Sequence, residues 1–219
     1  MADSLAVSGG DISLVLTGDR ASAQTLVVLG HGAGSGLDSE FMAFFAERLG
    51  AAGLVVARFN FLYMEQGRKV PDRQPVLERT YREVVEHLTK SHAGLPLVIG
   101  GKSMGGRIAS HVATTTSVDG LVFLGYPLHP PGRPDRMRDA HLSDVKAPML
   151  FVEGTRDPFC PLDTLESVRA RLPHSSLVII EDGDHSFKVR KSSGRSTQDA
   201  WVEAVSAIAS WVKQLRAAV

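Results

Sequence analysis

A serine lies between glycines in the segment 101–105, GKSMG, which matches the pattern G-x-S-x-G. The apolar run 97–100 precedes it and has the character of a strand, whereas residues 107–116, RIASHVATTT, are compatible with a helix. A serine on such a sharp strand-to-helix turn needs small flanking residues, and its hydroxyl is exposed for attack on a carbonyl carbon. The pattern predicts that Ser103 is a nucleophile, although a glycine-rich turn with an incidental serine would give the same pattern.

The same segment contains Gly-Lys-Ser, which is half of the phosphate-binding pattern G-x-x-x-x-G-K-[ST]. The first glycine of that pattern would fall at Pro96, and residues 97–100 form an apolar strand rather than a loop of N–H groups. The run 30–36, GHGAGSG, fails the dinucleotide pattern G-x-G-x-x-G, because Ser35 and Leu37 occupy the positions of the third glycine. Both nucleotide-binding interpretations are therefore disfavoured.

A serine hydroxyl needs a base to become nucleophilic, and the base needs a carboxylate that fixes its tautomer. When the nucleophile lies on a turn of this type, the catalytic residues occur along the chain in the order serine, acid, histidine, and each lies after a strand. Asp157 follows the apolar run 149–152 and His185 follows the run 177–180, so they are the predicted acid and base. A simple turn-forming role is the competing explanation of Asp157. Two acids on the preceding connection are reserve candidates, Asp135 and Asp139.

Acyl chemistry also needs two N–H groups aimed at the carbonyl oxygen as it becomes negative. The N–H of Met104, directly after the serine, is the predicted first donor. The loop after the run 25–29 contains HGAG and supplies the second from Ala33, with Gly34 as the alternative. A plain tight turn would use the same glycines. His31 in this loop is expected to shape the loop rather than act as a base.

These residues need a framework that brings the ends of several strands together. Apolar runs of strand length alternate with segments of helical periodicity, which predicts a doubly wound, mostly parallel sheet flanked by helices. Ligand sites in such sheets lie at the carboxyl ends of the strands. The predicted strands are residues 12–16, 25–29, 54–58, 97–100, 121–124, 149–152 and 177–180. The predicted helices are residues 38–53, 75–90, 107–116, 160–173 and 196–215.

The composition is that of an ordinary folded protein, with 43% hydrophobic and 22% charged residues among 219. Lys plus Arg and Asp plus Glu both number 24, so no basic field favours nucleic acid or an anionic membrane. Cys160 is the single cysteine, which is expected to be a small buried residue. We find no signal peptide, membrane span or metal-ligand spacing. We expect one domain over residues 1–219, a cytoplasmic location, and no cofactor or metal.

Six segments carry a family signature: LGHGAG, RFNFLYMEQGRKVPDRQPVLE, GGKSMGGRIAS, LGYPLHPPGRPD, GTRDPF and EDGDHSFKVRKSSGR. Together they resemble the small α/β-hydrolase family grouped near the dienelactone hydrolases, in particular bacterial proteins related to the non-specific-lethal complex subunit 3 branch. The resemblance implies an α/β-hydrolase fold with Ser103, Asp157 and His185 as catalytic triad. It implies no substrate. Dienelactone hydrolase itself carries cysteine as nucleophile, so lactone hydrolysis does not follow, and the eukaryotic branch includes a chromatin-complex component.

The sequence favours a serine hydrolase that cleaves a small carboxylic ester, thioester or related acyl substrate through an acyl-enzyme intermediate. The alternative is a non-catalytic protein-interaction module that retains the fold. The connection between the runs 121–124 and 149–152 is short and proline-rich, which predicts a minimal lid or none and an open site. The oligomeric state is left open.

Loops at the predicted site contain rings and arginines that define its expected walls. Apolar walls suit a small acyl substrate, and an arginine in the same loops would receive an acidic group on that substrate, a role left open here. The residues predicted to bind substrate are Phe61, Tyr63, Tyr126, His129, Phe159 and Phe187. The arginines are Arg58, Arg68, Arg156, Arg190 and Arg195.

Overall fold

The computed structural model describes residues 2–217, and within this range the chain forms eight strands. They are β1 Asp3–Val7, β2 Gly10–Thr17, β3 Leu26–Gly30, β4 Val55–Phe59, β5 Leu97–Lys102, β6 Gly120–Leu124, β7 Met149–Gly154 and β8 Ser175–Ile180. All lie in one sheet in the order β1-β2-β4-β3-β5-β6-β7-β8. β2 is antiparallel to β1 and β4, and the other neighbours are parallel. The carboxyl ends of β3 to β8 therefore share one edge.

Helices cover both faces of this sheet. They are α1 Glu40–Ala51, α2 Leu62–Glu65, α3 Gln74–Ser91, α4 Met104–Ala113, α5 Leu162–Arg169 and α6 Thr197–Ala217. The apolar sides of α3, α4 and α5 join one buried cluster with the sheet, and those of α1 and α6 join the other. The prediction of a doubly wound, mostly parallel sheet flanked by helices is confirmed.

The central strands are mostly apolar because both of their faces are covered. In β3, Leu26 and Val28 belong to one buried cluster, whereas Val27 and Leu29 belong to the other. Side chains of a strand alternate between faces, so a strand between two helix layers is rich in apolar residues at successive positions. This is the physical reason for the runs from which the strands were predicted.

The sequence prediction misses β1 and α2, as well as the two short 3-10 helices described below. β1 is an edge strand that pairs with β2 through a turn at Ser8 and Gly9, and its side chains are mostly exposed. A glycine-rich turn before a strand is a hairpin signal, but β1 has too few apolar residues to be noticed. α2 is a single turn after β4, too short for helical periodicity. The predicted helix at 107–116 in fact begins earlier, at Met104.

Residues 125–148 connect β6 to β7 and contain one short 3-10 helix, Ala140–Asp144. They form no lid domain, as predicted. A second 3-10 helix, Lys191–Ser193, lies before α6. Among residues 2–217, no helix combines the length and apolar character needed to cross a membrane.

Candidate active site

Ser103 occupies the turn between β5 and α4 in a strained backbone conformation. Its φ is 50° and its ψ is −111°, a combination that a non-glycine residue adopts only when the surroundings enforce it. The Ser103 N–H donates to the carbonyl oxygen of Leu124 at 3.1 Å, which ties the turn to β6. The hydroxyl makes no capping bond to α4. It is therefore available to a side chain from another loop.

The glycines on either side of Ser103 let this turn press against β3. A Cβ on Gly101 would lie 2.1 Å from the Gly30 carbonyl oxygen, and a Cβ on Gly105 would lie 2.0 Å from the same atom. Gly101 also has a φ of 148°, where side chains are strained. The G-x-S-x-G pattern is thus a steric requirement of this turn, and any larger residue at either position would displace β3 or Ser103.

His185 and Asp157 complete a chain of hydrogen bonds that ends at Ser103. His185 follows β8, and its Nε2 atom lies 2.8 Å from Ser103 Oγ. Asp157 follows β7, and its Oδ2 atom lies 2.6 Å from His185 Nδ1. An ionised carboxylate only accepts, so Nδ1 carries the ring proton and Nε2 is left to accept from the serine hydroxyl. The Asp157 side chain is fully buried, and its Oδ1 atom accepts from Phe159 N–H at 2.8 Å.

The loops that carry Asp157 and His185 are held together by a second aspartate, Asp182. Its carboxylate pairs with Arg156 after β7, at 3.2 Å, and with Arg190 before α6. Arg156 also donates to the carbonyl oxygens of Asp182 and Lys188, both at 2.9 Å. These bonds cross from one loop to the other. They fix the separation of the acid and the base before any substrate is present.

The reserve acids lie in other contacts. Asp139 accepts from Arg171 at 2.6 Å, and Asp135 is 3.7 Å from Arg133. Neither Asp135 nor Asp139 contacts His185, the histidine whose Nε2 lies close to the cavity-lining Ser103. Of the acids considered from the sequence, Asp157 is the one within hydrogen-bond distance of His185.

The HGAG loop lies directly over Ser103. His31 shapes this loop, as predicted: its Nδ1–H donates to the Gly32 carbonyl oxygen at 2.8 Å, and its Nε2 accepts from Phe61 N–H at 3.1 Å. Burial lowers the His31 pKa to about 4, so the ring is neutral and keeps both bonds. Ala33 in this loop and Met104 at the start of α4 line the same cavity as Ser103. The Met104 N–H, in the first helical turn, has no carbonyl partner within α4.

A cavity of about 580 Å³ opens above Ser103 and His185. Two of the six rings predicted to bind substrate, His129 and Phe159, line it, and Phe159 packs edge-on to the His185 ring with centroids 4.7 Å apart. The other four rings are a correction to the prediction, because each is fully buried in the core and none lines the cavity. They are Phe61, Tyr63, Tyr126 and Phe187.

Comparison with known proteins places the chain in a family. Residues 23–213 match the family described as the alpha/beta hydrolase domain. The chain belongs to the α/β-hydrolase family. Similar solved structures include a dienelactone hydrolase from Anabaena variabilis, with a TM-score of 0.78, 24% identity, and 98% of this chain and 96% of that chain covered.

Two further structures share the fold. An alpha-beta serine hydrolase homologue from Coxiella burnetii has a TM-score of 0.78 and 16% identity, with 95% of each chain covered. An a/b serine hydrolase without lid from Xanthomonas campestris has a TM-score of 0.72 and 19% identity, with 93% of each chain covered. At these identities the likeness concerns the fold of the α/β hydrolase and leaves its substrate open.

Two buried ionisable groups beneath the site of this α/β hydrolase were not predicted from the sequence. Lys102 is 8% exposed, and its Nζ has no hydrogen-bond partner within residues 2–217. Burial lowers its pKa to about 8, against the opposing charges of Asp157, Glu153 and Asp184. Glu153 on β7 is fully buried and accepts from Tyr126 N–H at 2.6 Å. Burial and the charge of Asp157 raise the Glu153 pKa well above its usual value.

Cys160 is fully buried near these groups, as predicted for a small apolar residue. Burial, followed by the charges of Glu153 and Asp157, raises the pKa of its thiol. The thiol therefore stays protonated and is a poor nucleophile. Within the described residues, no group of three or more His, Cys, Asp or Glu side chains has the arrangement of a metal site.

The arginines in the site of this hydrolase differ from those singled out in the sequence. None of those five lines the cavity, and each is bound elsewhere. Arg58 donates to the Leu37 carbonyl oxygen, and the other four pair with carboxylates: Arg68 with Asp72, Arg156 and Arg190 with Asp182, and Arg195 with Glu203. The arginines that do line the cavity are Arg107 and Arg138. Arg107 lies one helical turn after Ser103, a spacing that the sequence already contained.

Proposed function

We propose that this α/β hydrolase is a serine hydrolase that cleaves a small carboxylic ester, thioester or related acyl compound through an acyl-enzyme intermediate. The observation that carries the proposal is the run of hydrogen bonds Asp157–His185–Ser103, 2.6 and 2.8 Å long, at the floor of an open cavity. Its polarity is that of a general base acting on a nucleophile, because the acid fixes the tautomer that leaves Nε2 free to accept.

In the proposed reaction, His185 Nε2 takes the Ser103 proton as Oγ bonds to the carbonyl carbon. The negative oxygen of the tetrahedral intermediate is held by the N–H groups of Met104 and Ala33. The intermediate collapses when the leaving group departs with the proton from His185, which gives the acyl-enzyme. His185 then deprotonates a water, which attacks the acyl carbon. The second tetrahedral intermediate collapses as the acyl–Oγ bond breaks: the carboxylic acid departs and the proton on His185 returns to Ser103 Oγ.

The size and openness of the cavity support a compact substrate. Its lining combines apolar side chains such as Phe41, Met42 and Phe159 with polar groups near Ser103. Among residues 2–217 no lid domain covers it, so a long acyl chain would stay in contact with water. Short acyl groups gain most of the available burial.

Finer assignments rest on the sequence motifs alone. We propose kinship with the non-specific-lethal complex subunit 3 branch, a single domain over residues 1–219, a cytoplasmic location and no nucleic-acid or membrane partner. The alternative of a non-catalytic interaction module predicts no acyl turnover. The strained Ser103 and its oriented base argue for catalysis, since a scaffold has no need of either.

Rapid mixing with 4-nitrophenyl acetate tests the proposal. We expect a burst of about one 4-nitrophenol per chain, followed by slower turnover, and an acetyl group on Ser103 in the intact and digested protein. Ser103→Ala should lose the burst and the adduct. Turnover unchanged by Ser103→Ala would contradict the proposed nucleophile. No turnover across a panel of esters, thioesters and lactones, with a stable partner in pull-downs, would favour the interaction module.

A further inference from the structure

Two arginines face the proposed active-site cavity without a carboxylate partner. Arg107 on α4 and Arg138 on the connection between β6 and β7 both line it. Neither forms an ion pair with any residue in the range 2–217. Both side chains are half-buried, and a half-buried guanidinium without a counter-charge is suited to bind an anion that enters the cavity.

Arg107 lies in the first turn of α4, close in the chain to the reacting serine. Its N–H donates to the carbonyl oxygen of Ser103, the residue that caps α4, at 3.1 Å. Both residues line the same cavity. Arg107 Nη1 donates to Gln74 Oε1 at 2.9 Å, whereas its Nε is buried without a partner. The guanidinium is thus held in place with hydrogen-bonding capacity left over.

Arg138 is fixed through its backbone, which leaves its side chain free. Its N–H donates to the Leu128 carbonyl oxygen at 2.8 Å, and its own carbonyl oxygen accepts from the Tyr126 hydroxyl at 2.8 Å. The pKa of Arg138 is lowered by burial and then by the positive charge of Arg107. Both guanidinium groups belong to the wall of one cavity, and an anion bound there would offset the positive charge of both.

The nearby acids form no ion pair with either arginine. Asp72 is the one carboxylate among the described cavity-lining residues; its Oδ1 pairs with Arg68 at 2.6 Å, and its Oδ2 is buried without a hydrogen-bond partner. Glu78 acts on the charge of Arg107 from a distance, but its Oε1 accepts from Gln74 Nε2 at 2.7 Å. The cavity wall thus has an excess of positive charge, to which Lys102 also contributes.

We infer that Arg107 and Arg138 form a binding site for a carboxylate on the substrate, remote from the acyl carbon that Ser103 attacks. A planar guanidinium fork matches a carboxylate in two parallel hydrogen bonds, which a single ammonium group does not. The preferred substrate is then an ester or thioester that carries a free carboxylate. The hydrolysis of such an ester rests on the proposed function, whereas the binding of a carboxylate by the two arginines does not.

The kinetic test compares 4-nitrophenyl esters whose acyl chains end in a carboxylate with esters of matched length that end in methyl, over a short series of chain lengths. We expect the wild type to prefer one carboxylate ester in kcat/KM. Arg107→Met should lower kcat/KM for that ester roughly 10- to 100-fold, the loss typical of a hydrogen bond to a charged group, and change the methyl-ended ester by less than about threefold.

Further variants separate charge from fold. Arg107→Lys keeps the charge without the fork and should fall between wild type and Arg107→Met. Arg138→Met, on a loop, tests the same site if Arg107→Met does not fold. Arg48→Met is the matched control, because Arg48 is an exposed arginine on α1 outside the cavity. It should leave both esters unchanged.

A binding measurement distinguishes this inference from the proposed function. Ser103→Ala should bind glutarate in a calorimetric titration, and addition of Arg107→Met should abolish the binding. If Ser103→Ala binds glutarate but the wild type hydrolyses no ester, the proposed function is overturned and the carboxylate site is supported. Ester hydrolysis with no preference for carboxylate at any chain length, together with no glutarate binding, would overturn the carboxylate site and leave the hydrolase standing.

Discussion

Two serine hydroxyls associated with α4 lie 2.8 Å from the Nε2 atom of a histidine. One is Ser103, which pairs with His185, and the other is Ser110, two helical turns later, which pairs with His141. Distance alone does not distinguish them. Their surroundings do, and the comparison indicates what a serine–histidine contact needs before it can act on a substrate.

The two pairs differ in the direction of the hydrogen bond. His185 donates from Nδ1 to Asp157 and so accepts from Ser103. Ser110 donates its single proton to the Arg107 carbonyl oxygen at 2.7 Å, which leaves its oxygen to accept from His141 Nε2–H. A histidine that already donates to the serine is not its base. The buried carboxylate is therefore the decisive part of the first pair.

The two pairs also differ in access and charge. Ser103 lies on a strained turn at the cavity, whereas Ser110 is fully buried inside α4 and does not line the cavity. Burial lowers the His141 pKa to about 4, with smaller contributions from the neighbouring His111 and Arg107. His141 stacks on the His111 ring with centroids 3.5 Å apart. The contacts of Ser110 and His141 are those of side chains that stabilise the fold.

The largest predicted difference comes from removing each hydroxyl. Ser103→Ala should reduce ester kcat/KM by on the order of 10⁴-fold or more, because no other oxygen is presented to the base. Ser110→Ala should leave kcat/KM within about threefold and lower the free energy of unfolding by about 1 kcal/mol through its lost hydrogen bonds. Steady-state kinetics and urea denaturation measure both. Equal losses of activity would remove the distinction between the pairs.

The carboxylate should matter almost as much as the serine. In Asp157→Asn the amide can donate to His185 Nδ1. This favours the tautomer of His185 that carries its proton on Nε2, so that His185 and Ser103 resemble the pair of His141 and Ser110. We expect kcat to fall by on the order of 10⁴-fold with little change in the far-UV spectrum. Asp139→Asn is the matched control and should retain activity within about threefold. A smaller loss in Asp157→Asn than in Asp139→Asn would identify Asp139 as the acid.

A stabilising substitution is expected beneath the first pair. The folded-state pKa of Lys102 is lowered from 10.5 to about 8, so below pH 8 the folded protein bears the cost of a buried charge, about 3 kcal/mol. Lys102→Met should raise the free energy of unfolding at neutral pH by up to this amount. The gain should shrink between pH 8 and 10.5 as lysine becomes neutral in both states. A gain that does not depend on pH would show that packing, rather than charge, is its cause.

The smallest effect concerns the second pair. The His141 pKa is lowered from 6.5 to about 4, so the unfolded chain binds a proton in that window while the folded chain does not. Stability contributed by neutral His141 is present above pH 6.5 and lost as the pH falls towards 4. His141→Gln should reduce this acid destabilisation by about 1–2 kcal/mol, since the ring is partly screened by water, and leave kcat/KM unchanged. Thermal melts between pH 4 and 7 measure it, and an equal pH slope in both proteins would contradict the assignment.

Much of the site could be predicted because its parts follow strands. Ser103, Asp157 and His185 stand directly after runs of apolar residues, and parallel strands bring their carboxyl ends to one edge whatever lies between them. The strands themselves could be recognised because two covered faces make most of their positions apolar. The glycines at 101 and 105 were legible for a steric reason, their close approach to Gly30.

The rest could not be predicted because a loop residue can point either way. Phe61 and Tyr126 follow strands as closely as Asp157 does, yet their rings turn into the core. Arg68 was a candidate for contact with a substrate, but it pairs with Asp72. Arg138 lies on a loop that brings no carboxylate from residues 2–217 to its guanidinium group. Such choices depend on pairing between distant segments, which no local pattern in the sequence records.

Labelling with a fluorophosphonate probe tests the central claim most directly, because the probe reacts with a serine that is activated by a base and releases fluoride. We predict one phosphonyl adduct per chain, mapped to Ser103, lost in Ser103→Ala, strongly reduced in Asp157→Asn and retained in Ser110→Ala. An adduct that persists in Ser103→Ala, or that maps to Ser110, would contradict the assignment of Ser103 as the nucleophile.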